Sequence, residues 1–334
     1  MTEQKTAFVT GGTGFLGLHI IEQLIDAGWS VTAMHRASAD ISRLTKTGVT
    51  LVTGDVTDKA SLEAIVPDNL DAIFHAAADT SQWSGNNQRQ DAVNITGTAN
   101  MLWVAKAKPA GRFIYTSSIS AYGRRDAVID ETYPSVSANS PNNYERSKYA
   151  AEQQVKAACA DGLDAVILNP TAITGPGDTN NWAHSFFVAR DGGIPGAPSG
   201  ATSMCDVRDV AAAHLAAYER GRSGENYLLG GKAVPYRAML EEISRVAGIE
   251  VSLRPVPKVA MTIFAQWKAL VARMTGVEPD ITPEIARMMD ARMECTPAKA
   301  QRELGYVDRD WKSSLEDSFN WLVEEGLFDP TPDR

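Results

Sequence analysis

Residues 5–17, KTAFVTGGTGFLG, constrain this chain more than any other stretch. A short apolar run, Ala7–Thr10, ends in a cluster of glycines, and an apolar-periodic segment, Leu16–Leu24, follows. The pattern predicts a strand, a tight turn and a helix. Gly12, Gly14 and Gly17 fit G-x-G-x-x-G, and Gly11, Gly14 and Gly17 also fit G-x-x-G-x-x-G. Glycines let a backbone turn sharply and approach a pyrophosphate, and the helix N-terminus then offers free N–H groups to the anion. The stretch predicts a dinucleotide cradle formed by Gly11, Thr13, Gly14, Phe15, Leu16 and Gly17.

Strand-like and helix-like segments alternate from there. Strands are predicted at 29–35, 49–53, 71–75, 112–116, 165–168 and 226–229, with helices at 62–66, 92–107 and 144–160 between them. Such alternation predicts an α/β fold with a Rossmann-type, doubly wound parallel sheet, whose ligands bind at the C-terminal edge of the strands. The chemically suggestive residues follow strand ends: the glycine turn, Arg36, Asp55, Ala76–Ala78 and Ser117–Ser118. Residues 175–200 are rich in glycine, proline and polar side chains, and helical segments follow at 237–247, 261–274, 283–291 and 297–304. The expected division is a cofactor domain over 1–175, to which 203–231 returns, and a smaller, mostly helical substrate domain from 176–202 and 232–330.

Composition narrows the classes. The 334 residues are 44% hydrophobic and 22% charged with a net charge of −9, which predicts a soluble globular protein without a nucleic-acid footprint. Three widely spaced cysteines and five histidines show no metal-ligand spacing, and the cysteines suit a reducing, cytoplasmic compartment. The N-terminus has no signal-peptide pattern. Residues 259–275 are too short and too charged to span a bilayer, and read as an amphipathic helix covering a pocket or packing on the main domain, with no membrane partner expected.

Tyr144 and Lys148 stand four residues apart, on one face of a helix. An ammonium held near a phenol favours the phenolate, so the pair predicts a tyrosine with a lowered pKa, usable as general acid or base. The pair follows a strand that ends in Thr116-Ser117-Ser118, where a serine hydroxyl could bond the same carbonyl oxygen.

With these pieces in hand the chain resembles the extended short-chain dehydrogenase/reductase superfamily, the NAD(P)-dependent epimerase/dehydratase group. The resemblance is carried by TGGTGFLG (10–17), GDVTD (54–58), FHAAA (74–78), VNITGT (93–98), RFIYTSSISAYG (112–123), YERSK (144–148), LNPTAITGPGD (168–178), DVRDVAAAHL (206–215) and ENYLLGG (225–231), in the family's order. It implies that Tyr144 is the catalytic acid/base, that Lys148 tunes it and holds the nicotinamide ribose, and that Ser118, with Ser117 as a substitute, orients the substrate. It implies adenine contacts at Asp55 and Val56, ribose and diphosphate contacts along Ala76, Ala77 and Ala78, a cofactor-side or structural Asn94, and nicotinamide contacts at Pro170 and Thr171. Asp209 and His214 also match family positions, and there a structural role is favoured: a helix cap or dipole partner, and packing. Family members are often dimers, so a homodimer is one expectation.

NAD sites of this type carry an acidic residue at the end of the second strand. Here the segment reads Met34-His35-Arg36-Ala37-Ser38. Arg36 could pair with a 2′-phosphate and Ser38 could add a hydroxyl bond, so NADP is expected over NAD. Ser118 is followed by Ile119-Ser120, without the Asp-Glu pair of the family's dehydratases, and Ala172 stands where nucleotide-sugar epimerases place an asparagine. The Asn169-Pro170-Thr171 form resembles the dihydroflavonol 4-reductase branch, and AADTSQW (77–83) resembles hopanoid-associated sugar epimerase-like proteins. The resemblance implies an NADPH-dependent reductase of a small-molecule aldehyde or ketone, with a sugar-nucleotide epimerase, a 3β-hydroxysteroid dehydrogenase-like activity and a non-catalytic NADP sensor as alternatives. Thr80, Ser81, Trp83, Tyr122, Asn181, Trp182 and Phe186 are the candidate substrate contacts; their aromatic rings suit an apolar carbonyl compound and equally the core of the small domain.

Overall fold

Each apolar run of the first half becomes a strand because its alternate residues can be buried on two faces at once. The computed structural model describes residues 4–123, 127–180, 182–194 and 196–329. In order, β1 (Thr6–Thr10), α1 (Phe15–Asp26), β2 (Ser30–His35), β3 (Thr50–Thr53), α2 (Lys59–Ile65) and β4 (Ala72–His75) form the first half of the winding. Then come α3 (Asn87–Asp91), a π-helical turn (Ala92–Thr96), α4 (Gly97–Ala107), β5 (Arg112–Thr116), β6 (Val128–Ile129), α5 (Asn143–Ala160) and β7 (Ala165–Pro170).

The main sheet is seven-stranded and parallel, and the later strand β10 (Asn226–Leu229) closes it in the order β10-β7-β5-β4-β1-β2-β3. The winding reverses between β1 and β4, so the turns after those two strands flank the crevice at the switch point. Alternation along the strands feeds two cores. Ala7, Val9, Phe74, Ile114, Val166 and Leu168 pack on one face with α1. Phe8, Ile73, Phe113, Tyr115 and Ile167 pack on the other, with α2, α4 and α5. Truncating a ring such as Phe113 to alanine there costs about 3–5 kcal/mol.

The rest of the chain builds beside the strand ends. Its elements are β8 (Ala172–Thr174), α6 (His184–Arg190), β9 (Ala201–Asp206), α7 (Val207–Arg220), β11 (Ala233–Pro235), α8 (Tyr236–Ala247), α9 (Lys258–Thr275), α10 (Pro283–Asp290), β12 (Arg292–Cys295), α11 (Ala298–Leu304) and α12 (Trp311–Glu324). β9 pairs with β8, β11 and β12 rather than with the main sheet, and α7 is the element that returns to pack on that sheet with α1. A third core gathers Phe186, Tyr236, Leu240, Ile243, Phe319 and Phe328. α9 buries only Ala265 and Ala272 and lays Val259, Ile263, Trp267, Leu270 and Met274 on solvent. No helix among the described residues is long and apolar enough to cross a membrane.

Candidate active site

The glycine turn is held by backbone contact. Gly11 has φ +77°, and a Cβ there would meet the Ala77 nitrogen at 2.6 Å. A Cβ on Gly17 would fall onto the Gly11 carbonyl oxygen, so the first turn of α1 packs against the turn only because position 17 has no side chain. Gly14 caps α1 without any side-chain bond, leaving the N–H groups of the first turn uncapped by protein side chains. Thr13 and Gly14 are exposed beside them, with Phe15 and Leu16 half-buried. Across the crevice, Ala76 N–H donates to the Thr10 carbonyl at 3.2 Å and Ala77 N–H to the Thr10 hydroxyl at 3.3 Å, while Ala78 is open to solvent.

The flanks of this cradle are also set. One Asp55 oxygen accepts from Thr57 N–H and hydroxyl, both at 2.8 Å, and Asn100 holds the Val56 carbonyl at 2.9 Å. Arg36 and Ser38 are exposed just past β2, and the Arg36 guanidinium makes no side-chain bond among the described residues. Pro170 and Thr171 are buried at the end of β7, where Thr171 N–H donates to the Leu229 carbonyl. A helix start without a side-chain cap, a glycine-rich turn and a guanidinium at the second strand without a side-chain bond among the described residues fit a dinucleotide phosphate chain.

Beside the cradle stand Ser118, Tyr144 and Lys148. Ser118 follows β5, and its oxygen accepts from Ser120 N–H at 3.1 Å while the hydroxyl stands near enough to the Tyr144 phenol to act on its pKa. Asn142 caps α5 by accepting from Tyr144 N–H, which fixes where the phenol starts along the helix. One turn on, the Lys148 ammonium is buried and donates to the Thr116 carbonyl at 2.9 Å. Burial lowers its pKa to about 8, opposed by the negative charge of Glu152. The tyrosine corrects the sequence expectation of a lowered pKa. Burial raises it, the Ser118 hydroxyl opposes this, and the Asp79 carboxylate adds to the rise. The phenol is therefore the protonated, proton-giving form at neutral pH.

Ser117 and Asn94 are occupied differently. Ser117 donates to the buried Glu152 carboxylate at 2.8 Å, so Ser118 is the serine that meets the phenol. Asn94 sits in the π-helical turn with every contact inside the protein: it accepts from Asp79 N–H, and donates to the Asp79 carbonyl and the Ser147 hydroxyl. It thus ties α5 to the loop after β4. A row of bonds runs behind it. The Thr10 hydroxyl meets His75 Nδ1 at 2.7 Å, His75 Nε2 meets Thr98 Oγ1 at 3.1 Å, and Thr98 donates to the Asn94 carbonyl. Because the Thr98 proton is spent on that carbonyl, His75 donates from Nε2 and accepts at Nδ1. Burial lowers the His75 pKa to about 3, keeping the ring neutral. His214 is buried likewise, with its pKa near 4, bonded to the Thr116 hydroxyl and the Val210 carbonyl. Asp209 pairs with Arg309, and the capping of α7 falls to Asp206.

The candidate substrate contacts separate into two groups. Thr80, Ser81 and Trp83 lie on the loop after β4, whose Gln82 side chain bonds Asn142 at the start of α5. This loop is stitched to the far part of the chain: Ser81 and Asn86 donate to Glu278 and Thr282 donates to the Gln82 carbonyl. Tyr122 is buried in a small cluster with Ile119, Ile129 and Met293, and its hydroxyl has no partner among the described residues. Trp182 stacks on Tyr236, and Phe186 lies wholly inside the third core against Phe319. Asn181 lies outside the described residues. No group of three His, Cys, Asp or Glu side chains among the described residues could hold a metal ion. Two acidic groups escaped the sequence reading: Asp79, whose charge reaches Tyr144, and Glu152, which stands four residues past Lys148 on the same helix face.

The model of the NAD dependent epimerase/dehydratase family matches residues 7–230. The chain belongs to this family. Its fold and its relatives place this epimerase/dehydratase family member among the extended short-chain dehydrogenase/reductases, as an NAD(P)-dependent oxidoreductase. It is 31% identical to a Synechocystis sp. protein provisionally named dihydroflavonol 4-reductase, over 96% of this chain and 95% of that one. It is 28% identical to sterol demethylase protein B of Methylococcus capsulatus, over 96% and 99%. The solved structure of gox2253 superposes with a TM-score of 0.84 at 29% identity, covering 98% of this chain and 100% of the other.

Proposed function

We propose that this family member is an NADPH-dependent reductase of aldehyde or ketone carbonyls. The observation that carries the reading is the meeting of the Ser118 hydroxyl, the protonated Tyr144 phenol and the buried Lys148 ammonium beside the glycine turn. Gly11–Gly17, with Asp55, Val56 and Ala76–Ala78, would hold a nicotinamide dinucleotide, which would supply a hydride to the carbonyl carbon. Ser118 orients the carbonyl oxygen, and Tyr144 gives it a proton, leaving the alcohol. Lys148 stabilises the phenolate left behind. A phenol held protonated by burial suits the reductive direction. The name of the Synechocystis relative supports a reductase, and that of the Methylococcus relative supports a sterol-like ring ketone as the second substrate class.

NADPH is the favoured donor because Arg36 offers a guanidinium, without a side-chain bond among the described residues, where NAD enzymes present an acid. The Arg36→Ala variant should raise the KM for NADPH about tenfold or more and leave that for NADH unchanged; a strong NADH preference in both proteins would remove this part of the reading. Three free cysteines support a reducing, cytoplasmic setting. The reading is tested by NADPH oxidation across aldehydes, ketones, dihydroflavonols and 3-ketosteroids. Turnover of none, together with a cofactor absorbance that survives purification, would favour a sugar-nucleotide isomerase instead.

A further inference from the structure

We infer that Glu152 is a positioning residue that supplies the counter-charge for Lys148 and, through Ser117 and Asn169, fixes the backbone of Ser118. The inference rests on the reading of Ser118, Tyr144 and Lys148 as the reducing machinery. Glu152 is 3% exposed. One of its oxygens accepts from the Ser117 hydroxyl and from Asn169 Nδ2, both at 2.8 Å, and the other meets Lys156 at 3.1 Å. Asn169 Nδ2 also donates to the Ser118 carbonyl at 3.0 Å, and the Asn169 oxygen is held by Asn226 at 2.8 Å. Four elements, β5, α5, β7 and β10, are thus joined behind the tyrosine.

A glutamine oxygen could satisfy Ser117 and Asn169 equally well. Burying a carboxylate instead costs several kcal/mol, and a half-exposed lysine such as Lys156 recovers little of that. The charge has a use only toward a buried cation, and Lys148 is one turn away on the same face. The groups facing Lys148 are Tyr144 and Glu152 from its own helix, the Tyr115 ring at 5.3 Å and the Thr116 carbonyl from β5, and neutral His75 from β4. Among the described residues, Glu152 is the carboxylate whose charge opposes the desolvation of that ammonium.

The test is a direct titration of Lys148 by NMR in protein carrying lysine isotope-labelled at Cε, with the signal assigned through Lys148→Arg. The native midpoint should lie at about 8. In Glu152→Gln the proton affinity should fall about tenfold or more, and the alkaline limb of reductive kcat/KM should move to lower pH by the same amount. Glu152→Asp keeps the charge while shortening the reach to Ser117 and Asn169, so its midpoint should stay near the native one. An unchanged midpoint in Glu152→Gln would overturn the inference, as would an equal fall in both variants. If Glu152→Gln does not fold, a native-like midpoint in Glu152→Asp supports the counter-charge and a lowered one overturns it. The titration needs no turnover, so failure of the carbonyl-reduction reading would appear separately, as absent NADPH oxidation in the native enzyme.

Discussion

The sheet half and the C-terminal half of this molecule treat apolar surface in opposite ways. In β1, β4, β5 and β7 successive residues are buried on alternate faces, and the strand ends are pinned by bonds such as Thr10–His75 and Lys148–Thr116. In α9 the apolar residues recur at helical spacing yet face outward, with Trp267 56% and Leu270 57% exposed. The cofactor side is thus fixed by contacts that tolerate little change. The outer layer of the other side lies outside a compact aromatic core of Phe186, Phe319 and Phe328. Conserving the chemistry and varying the substrate would require this partition.

The contrast can be broken at four places. Tyr144→Phe deletes the proton donor and should lower kcat by about 10²–10⁴-fold, measured as NADPH oxidation, with cofactor binding retained. Gly17→Ala puts a methyl group onto the Gly11 carbonyl and should cost about 3 kcal/mol in urea unfolding, along with cofactor affinity. Acid should loosen the sheet half next. His75 and His214 stay neutral in the fold down to about 3 and about 4, whereas the unfolded chain protonates both below their ordinary value of 6.5. Unfolding therefore takes up protons, and each ring should cost about 2 kcal/mol of stability between neutrality and about pH 5, seen as a falling urea midpoint. The smallest effect belongs to α9: Trp267→Ser should change stability by no more than about 0.5 kcal/mol. A large loss there would mean that the stripe is covered in solution.

The same partition governs what could be read from the chain. The glycine turn, the strand ends, and the Tyr144–Lys148 spacing are local patterns, and the structure brings them to one edge. The direction of the Tyr144 pKa was not legible, because it depends on burial and on Asp79, sixty-five positions away in sequence. Glu152 had a readable signal, its helical spacing from Lys148, but its meaning needs Ser117, Asn169 and Asn226 from three strands. Phe186 and Trp182 sit in a glycine- and proline-rich stretch where composition cannot separate pocket lining from core; packing against α12 and α8 decides it. The short strands β8, β9, β11 and β12 have three to six paired residues each, too few to stand out as alternation.

The Thr10–His75–Thr98–Asn94 row has a polarity. Every hydrogen points the same way, from the glycine turn inward to the π-helical turn, and the ring in the middle refuses a second proton until about pH 3. Passing a proton along it would require charging that ring or reversing every bond in turn. The row therefore acts as a fixed dipole that pins the end of β1, where Ala77 N–H also bonds, to the turn that carries Asn94.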